Sequence, residues 1–326
     1  MSAFEDLLAY VRQRGVGTAD AINPFWQKQL EKLEGLFARS EAPDRKAIVN
    51  ALGYFDERLP PGGSNRATPA WARVTEIMES PNGHPRGQVE HAGALSLLLR
   101  YKVLDDYLAT IDSLGLASNM ALARHYWYVR KLKHQLDDLK DRRRDVFLEV
   151  GAGGGQYAML LTRAGLVRHY VIADLPEMML NSMITLSDRF PEADVRFGET
   201  PDFSGERLTF WFLDTSDIAK APDSSVDVVS NFNSFMEMAQ DIRDFYLDNI
   251  YRCAKPGALF YNVNRRQSSM SKRDGSPYDN NPLLFPYRAS DRVLEWEPDQ
   301  IQQDYRSGQF MSPHASFCIS RMALIG

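Results

Sequence analysis

One stretch constrains this chain more than any other: Glu149-Val150-Gly151-Ala152-Gly153-Gly154-Gly155-Gln156, set between the apolar run Val146-Phe147-Leu148-Glu149-Val150 and a helix-compatible segment, Gln156 to Leu161. Glycines in such a place permit a tight strand-to-helix turn and let a ligand approach the backbone with no Cβ in the way. Counted from Gly151, a dinucleotide pattern G-x-G-x-x-G would need glycine at 156, where Gln156 stands. The alternate spacing Gly151, Gly153, Gly155 is G-x-G-x-G, and no Lys-Ser/Thr pair follows to build a triphosphate loop.

The next apolar run, Tyr170-Val171-Ile172-Ala173, closes on Asp174. A carboxylate at that strand end is placed to accept hydrogen bonds from both ribose hydroxyls of an adenosine ligand. Further runs at Leu208 to Leu213, Val226 to Val229 and Ala258-Leu259-Phe260-Tyr261 alternate with helix-compatible segments, and Ser316 to Leu324 supplies a last run. This alternation predicts an α/β fold, a parallel sheet with helices on both faces, with the last run as an antiparallel edge strand inserted into it.

Before Asp145 the pattern is helical. Trp26, Leu30, Leu33 and Phe37 fall on one stripe of a helix, and helical patterning resumes through Leu95, Leu98, Leu99, Val103, Leu104 and Leu108. The breakers Pro60 to Asn65 and Ser80 to Gly87 predict loops, and the mixed charges of Arg130 to Arg144 predict a solvated helix face bordering the two halves. The expected division is a helical N-terminal region, 1–140, acting as a lid or dimerisation element, and a cofactor-binding domain, 141–326.

Composition excludes several classes. The 326 residues hold 38 basic and 43 acidic side chains, a formal net charge of −5, with no global drive toward nucleic acid or an anionic membrane. Cys253 and Cys318 are too few for a disulfide framework or a four-thiolate zinc site and suit a reducing compartment. No stretch reaches the roughly 18 apolar residues of a membrane span, and Glu5 and Asp6 stand where a signal peptide would carry Lys or Arg. The expectation is a cytoplasmic protein with a small-molecule substrate and neither nucleic acid nor membrane as partner.

Four motifs in order, Glu149 to Gly155, Asp174, Pro222 to Asn231 and Cys253 to Phe260, resemble those of class I S-adenosylmethionine-dependent methyltransferases. Within that class Asp174-Leu175-Pro176-Glu177, Asn233-Ser234-Phe235-Met236-Glu237-Met238 and Asn262-Val263-Asn264-Arg265 are similar to the sugar O-methyltransferase family. The resemblance implies a doubly wound, Rossmann-like, seven-stranded sheet and S-adenosyl-L-methionine as cofactor. It implies that Glu149, Gly151 and Gly153 meet the methionine end, Asp174 the ribose and Leu175 the adenine. Asp214, with Asp217 as competitor, would lie near the adenine amino group, and Asn231 beside the methyl group. For Asp214 and Asp217 the plain alternative is a turn or helix cap.

The sulfonium carries its own leaving group, so the protein has mainly to align a nucleophile and exclude water. An aliphatic hydroxyl is barely ionised at pH 7, so a general base is expected, with Glu237 ranked before His314. Asn231 and Asn233 stand where a metal site would want acids, so no metal is expected. The polar, turn-rich segment Arg265 to Asp291 reads as a substrate lid using Arg265, Tyr278 and Arg266, with Asn233 also facing substrate. Trp71, Tyr126, Trp127 and Tyr128 could stack on sugar faces or form core. Three functions stay open: methylation of a sugar or glycoside hydroxyl, O- or N-methylation of a non-sugar natural product by a dimer joined through the N-terminal helices, and a dinucleotide-dependent oxidoreductase or a noncatalytic cofactor-binding module.

Overall fold

The computed structural model describes residues 2–15, 24–40, 43–52, 70–81, 84, 86–140, 143–266, 281–302 and 318–326. Two compact units divide the chain: Met1–Asp56 with Asp141–Glu297 and Ile319–Gly326, and Glu57–Lys140 with Pro298–Cys318. The break near residue 140 coincides with the change of pattern in the sequence, whereas residues 1–56 cluster with the sheet.

The first unit is built on an eight-stranded sheet: β1 (Val146–Val150), β2 (His169–Asp174), β3 (Asp194–Phe197), β4 (Thr209–Asp214), β5 (Val226–Phe232), β6 (Ala254–Arg265), β7 (Arg292–Pro298) and β8 (Cys318–Leu324), in spatial order β3-β4-β2-β1-β5-β6-β8-β7. Strands β1 to β6 run parallel. The end of β8 meets the start of β6, Gly257 N–H donating to Ile325 O at 2.7 Å and Ile325 N–H to Ala258 O at 2.9 Å, so β8 runs opposite. Strands β1, β2, β4 and β5 are buried at every position because helices cover both faces, which is why they read as continuous apolar runs.

The doubly wound α/β sheet has one strand more than the seven expected. The additional strand is β3, four residues with no fully buried position, and its polarity hides it among loops. The inserted antiparallel strand is present, but β8 lies between β6 and β7, so the half-exposed β7 takes the edge.

Helices of this unit are α1 (Ala3–Arg14), α2 (Pro24–Arg39), α3 (Arg45–Ala51) and, after four helices of the second unit, α8 (Gln156–Arg163), α9 (Pro176–Arg189) and α10 (Gln240–Cys253). Helix α1 begins with a capping box, Ser2 Oγ accepting from Glu5 N–H while Glu5 Oε2 accepts from Ser2 N–H. It buries Leu7 and Val11 and packs on α9 and β3. In α2 the expected stripe is buried at Leu30 and Leu33.

The second unit contains α4 (Ala70–Glu79), α5 (Arg86–Arg100), α6 (Leu104–Ser113) and α7 (Met120–Asp138). Asn119 caps α7 through Leu122 N–H at 2.9 Å. Tyr126, Trp127 and Tyr128 are buried in its core, with Tyr107 5.3 Å from Tyr126 and Tyr101 4.8 Å from Trp127, ring centre to ring centre. These three aromatics serve packing; the Trp71 side chain lies outside the described residues.

Among the described residues no helix is long and apolar enough to cross a membrane.

Candidate active site at the carboxyl edge of the sheet

The chain runs from β1 outward through β2 and β4, then returns to β5 on the other side of β1. Strand order reverses at β1, the switch point at which open α/β sheets hold ligands in a crevice beyond the carboxyl ends of their strands. Every sequence motif that ends a strand is delivered to this edge.

After Val150 the turn is built from residues with positive φ at alternate positions, Gly151 at 73°, Gly153 at 55° and Gly155 at 74°. This conformation explains the G-x-G-x-G spacing, since L side chains rarely adopt it. Gly155 ends the turn as the left-handed N-cap of α8. A Cβ added to it would lie 3.0 Å from Ser182 Cβ on α9, so the glycine also permits close helix packing.

Glu149 and Asp174 are the acids beside the glycine turn. Leu148 and Val150 join the apolar core on one face of β1, which leaves Phe147 and Glu149 on the other. Glu149 is buried and accepts a hydrogen bond from Tyr170 Oη at 2.7 Å. Burial pushes its pKa up to about 8, the Tyr170 hydroxyl partly opposing and the charge of Asp174 adding to the rise. Asp174 Oδ2 accepts from Gly153 N–H at 2.9 Å and Oδ1 from Leu175 N–H at 2.7 Å. Burial raises Asp174 to about 6 against these two hydrogen bonds. A carboxylate offers about four acceptor positions, so Asp174 is oriented by its loop and keeps two for a diol. Leu175 caps α9 with extended backbone beside it.

Asn231 stands in register with Val150 on one side and Asn262 on the other. It is fully buried and its amide is saturated: Nδ2 donates to Val150 O at 2.9 Å and to Ser234 Oγ, while Oδ1 accepts from Asn264 Nδ2 at 2.7 Å and Phe235 N–H at 3.4 Å. Asn264 also donates to Asn262 Oδ1 and accepts from Met236 N–H at 3.1 Å. Asn262 in turn donates to Tyr287 Oη at 2.5 Å. Three asparagines thus tie the ends of β1, β5 and β6 together. Asn231 orients this edge through Ser234, whose Oγ donates to Val150 O at 3.1 Å.

Asn233 turns the chain with φ 63°, and its N–H donates to Val263 O at 2.8 Å. The strand then enters a short 3-10 turn, Phe235–Glu237, which carries Glu237 at its half-buried end. Arg265 closes β6, half-buried. His314 and Tyr278 lie outside the described residues. Among the described residues no three His, Cys, Asp or Glu side chains gather closely enough to hold a metal. His169 is buried with Nε2 2.9 Å from Gly205 O.

Asp214 ends β4 in register with Asp174. Its Oδ2 accepts from Tyr10 Oη at 2.7 Å and pairs with Arg14 Nη1 at 2.6 Å; its Oδ1 accepts from Thr215 N–H at 2.5 Å and Thr215 Oγ1 at 3.0 Å. The cap role that sequence left open for Asp214 is present. Asp217 pairs with Lys220 at 2.9 Å.

Sequence reading passed over Ser234, Tyr170, Asn264, Tyr10 and Arg14. Asn264 and Ser234 fall inside the strand-end motifs, but their roles depend on strands that meet only in the sheet. No local signal marks Tyr10 or Arg14, whose partner is about 200 residues away.

Residues 148–262 match the family model described as "Methyltransferase domain". No curated protein matches the chain. Among solved structures, the magnesium protoporphyrin IX methyltransferase of Synechocystis PCC 6803, with bound SAM, is 10% identical, with TM-score 0.40 over 63% of this chain and 82% of that one. YcgJ of Bacillus subtilis is 11% identical, with TM-score 0.37 over 59% and 98%. The PH0226 protein of Pyrococcus horikoshii OT3 is 12% identical, with TM-score 0.38 over 60% and 91%.

Proposed function

We propose that this chain is an S-adenosylmethionine-dependent O-methyltransferase that moves a methyl group to a hydroxyl of a sugar or glycosylated metabolite. The observation that carries the cofactor reading is the pair of strand-end acids on the glycine turn: Asp174, fixed by Gly153 and Leu175 N–H groups, keeps two acceptor positions for the ribose diol. Glu149, held by Tyr170 beside the turn, faces the methionine end. The sugar reading is supported by the motifs through Asn233 to Met238 and Asn262 to Arg265.

When bound, the cofactor would supply an activated methyl group whose leaving group is its own neutral thioether sulfur. The protein's share is alignment, worth several powers of ten in rate when geometry is fixed. The asparagine lattice and Ser234 hold the strand ends rigid, and Asn233 and Arg265 bind the acceptor. Glu237, the first-ranked base, takes the hydroxyl proton, with His314 second. The site belongs to a cytoplasmic enzyme, and the N-terminal helices pair two copies.

Thermal stabilisation by S-adenosylhomocysteine and not by NAD tests the cofactor. A methyl-transfer screen with labelled cofactor across nucleotide sugars, glycosides, and non-sugar alcohols and amines tests the acceptor; transfer confined to the last two groups rejects the sugar. Glu237→Gln and His314→Ala should keep cofactor binding. Full turnover in both variants would remove both from the role of base.

A further inference from the structure

Asp174 and Asp214 end neighbouring strands in register, so their carboxyls stand side by side at the adenosine end of the crevice. They differ in what remains to offer. Two acceptor positions of Asp174 are in use, whereas Tyr10, Arg14 and two atoms of Thr215 occupy all four of Asp214. Asp214 therefore has no position left for an adenine amino group while α1 is docked.

Tyr10 and Arg14 are four residues apart and share one face of α1. Both reach the same oxygen, Asp214 Oδ2. The ion pair is partly sheltered, with the Asp214 side chain 5% exposed and that of Arg14 31%. Burial opposes the charge of Arg14, but Asp214 and then Glu177, from the turn after Asp174, raise its pKa overall. The Tyr10 ring meets Phe197 of β3 edge-on at 5.4 Å. Behind it, Arg45 of α3 pairs with Asp188 of α9 at 2.6 Å and lies over the Phe4 ring of α1. These contacts fasten the N-terminal segment to the side of the sheet where the adenosine binds.

We propose that Tyr10 and Arg14 complete the adenosine site, with Asp214 as the anchor of α1 and not as the acceptor for the base. The inference rests on the cofactor reading above. Asp214, Arg14 and Tyr10 are positioning residues: they hold α1 as a wall over the nucleoside of an S-adenosyl ligand. Docking of α1 and binding of the nucleoside then reinforce each other, because coupling between sites is reciprocal.

The test uses the full chain and S-adenosylhomocysteine, with calorimetry for affinity and hydrogen exchange for α1. On the wild type the ligand should slow exchange in residues 3–14. Arg14→Ala and Asp214→Asn should each weaken binding about tenfold, and the double variant no further than either one. Arg14→Lys should restore much of the loss, and in a methyl-transfer assay the KM for the donor should rise while kcat at saturation is kept. Loss of affinity in Asp214→Asn with none in Arg14→Ala or Tyr10→Phe would make Asp214 the direct adenine acceptor and overturn the proposal, as would unchanged affinity in all three. A wild type that binds no S-adenosylhomocysteine would overturn the cofactor reading and this inference together, a result distinct from binding that is indifferent to α1.

Discussion

Gly151 and Ser234 occupy one another's space: a Cβ built on Gly151 would lie 2.2 Å from Ser234 Oγ and 2.3 Å from its Cβ. The turn after β1 can approach the end of β5 this closely only because residue 151 has no side chain. Ser234 takes the vacated volume and hydrogen-bonds back to Val150 O. Each residue fixes the other.

Gly151→Ala should therefore combine the cost of φ 73° for an L side chain with a steric overlap, a loss of at least about 2 kcal/mol. Ser234→Gly placed in the same chain relieves the overlap and leaves the φ cost. Chemical denaturation of the two single variants and the double variant should show partial recovery; strict additivity would mean that the contact is not tight.

Asn264→Ala removes two donors and one acceptor from a buried lattice: Asn262 Oδ1 and Met236 N–H lose the bond they make to Asn264, and Asn231 Oδ1 keeps only the longer bond from Phe235 N–H. Buried groups left without partners cost about 1–3 kcal/mol each, partly recovered by relaxation. The midpoint of thermal unfolding should drop by several degrees, and turnover should fall more than donor affinity, because the lattice aims the end of β5. A turnover unchanged at saturating donor would contradict that role.

The raised acids predict how stability depends on pH. Glu149 moves from an ordinary 4.5 to about 8 and Asp174 from 3.8 to about 6. Between the unfolded and folded values the native state binds more protons than the unfolded chain, so stability falls as pH rises. The contribution is complete below about pH 4 and lost by about pH 8, on the order of a few kcal/mol. Glu149→Gln keeps an acceptor for Tyr170 and cannot ionise. Its melting temperature should equal that of the wild type near pH 4 and exceed it at pH 8.5; equal values at both would show that Glu149 is not protonated in the fold.

Turnover should not require a divalent metal. Exhaustive chelation followed by assay should leave the rate unchanged, and loss restored by magnesium would require ligands that local spacing does not reveal.

The first strand, the glycine turn, the following helix and the acid at the end of β2 are legible along the chain, because each is written in short-range terms: apolar runs, alternate glycines, a carboxylate at a strand end. The α/β class is legible in the same way, through the alternation of runs. Strand β3 escaped because an edge strand with no buried position has no apolar signature. Tertiary structure alone decided what Asp214 holds, since Tyr10 and Arg14 reach it across about 200 residues. It decided that Asn231 is saturated by Asn264, and that residues 1–56 cluster with the sheet while the helices from Glu57 to Lys140 form their own unit. The physical reason is common to these cases. A hydrogen-bond acceptor has a fixed number of positions, and which partners fill them depends on groups that only the folded chain brings within 3 Å.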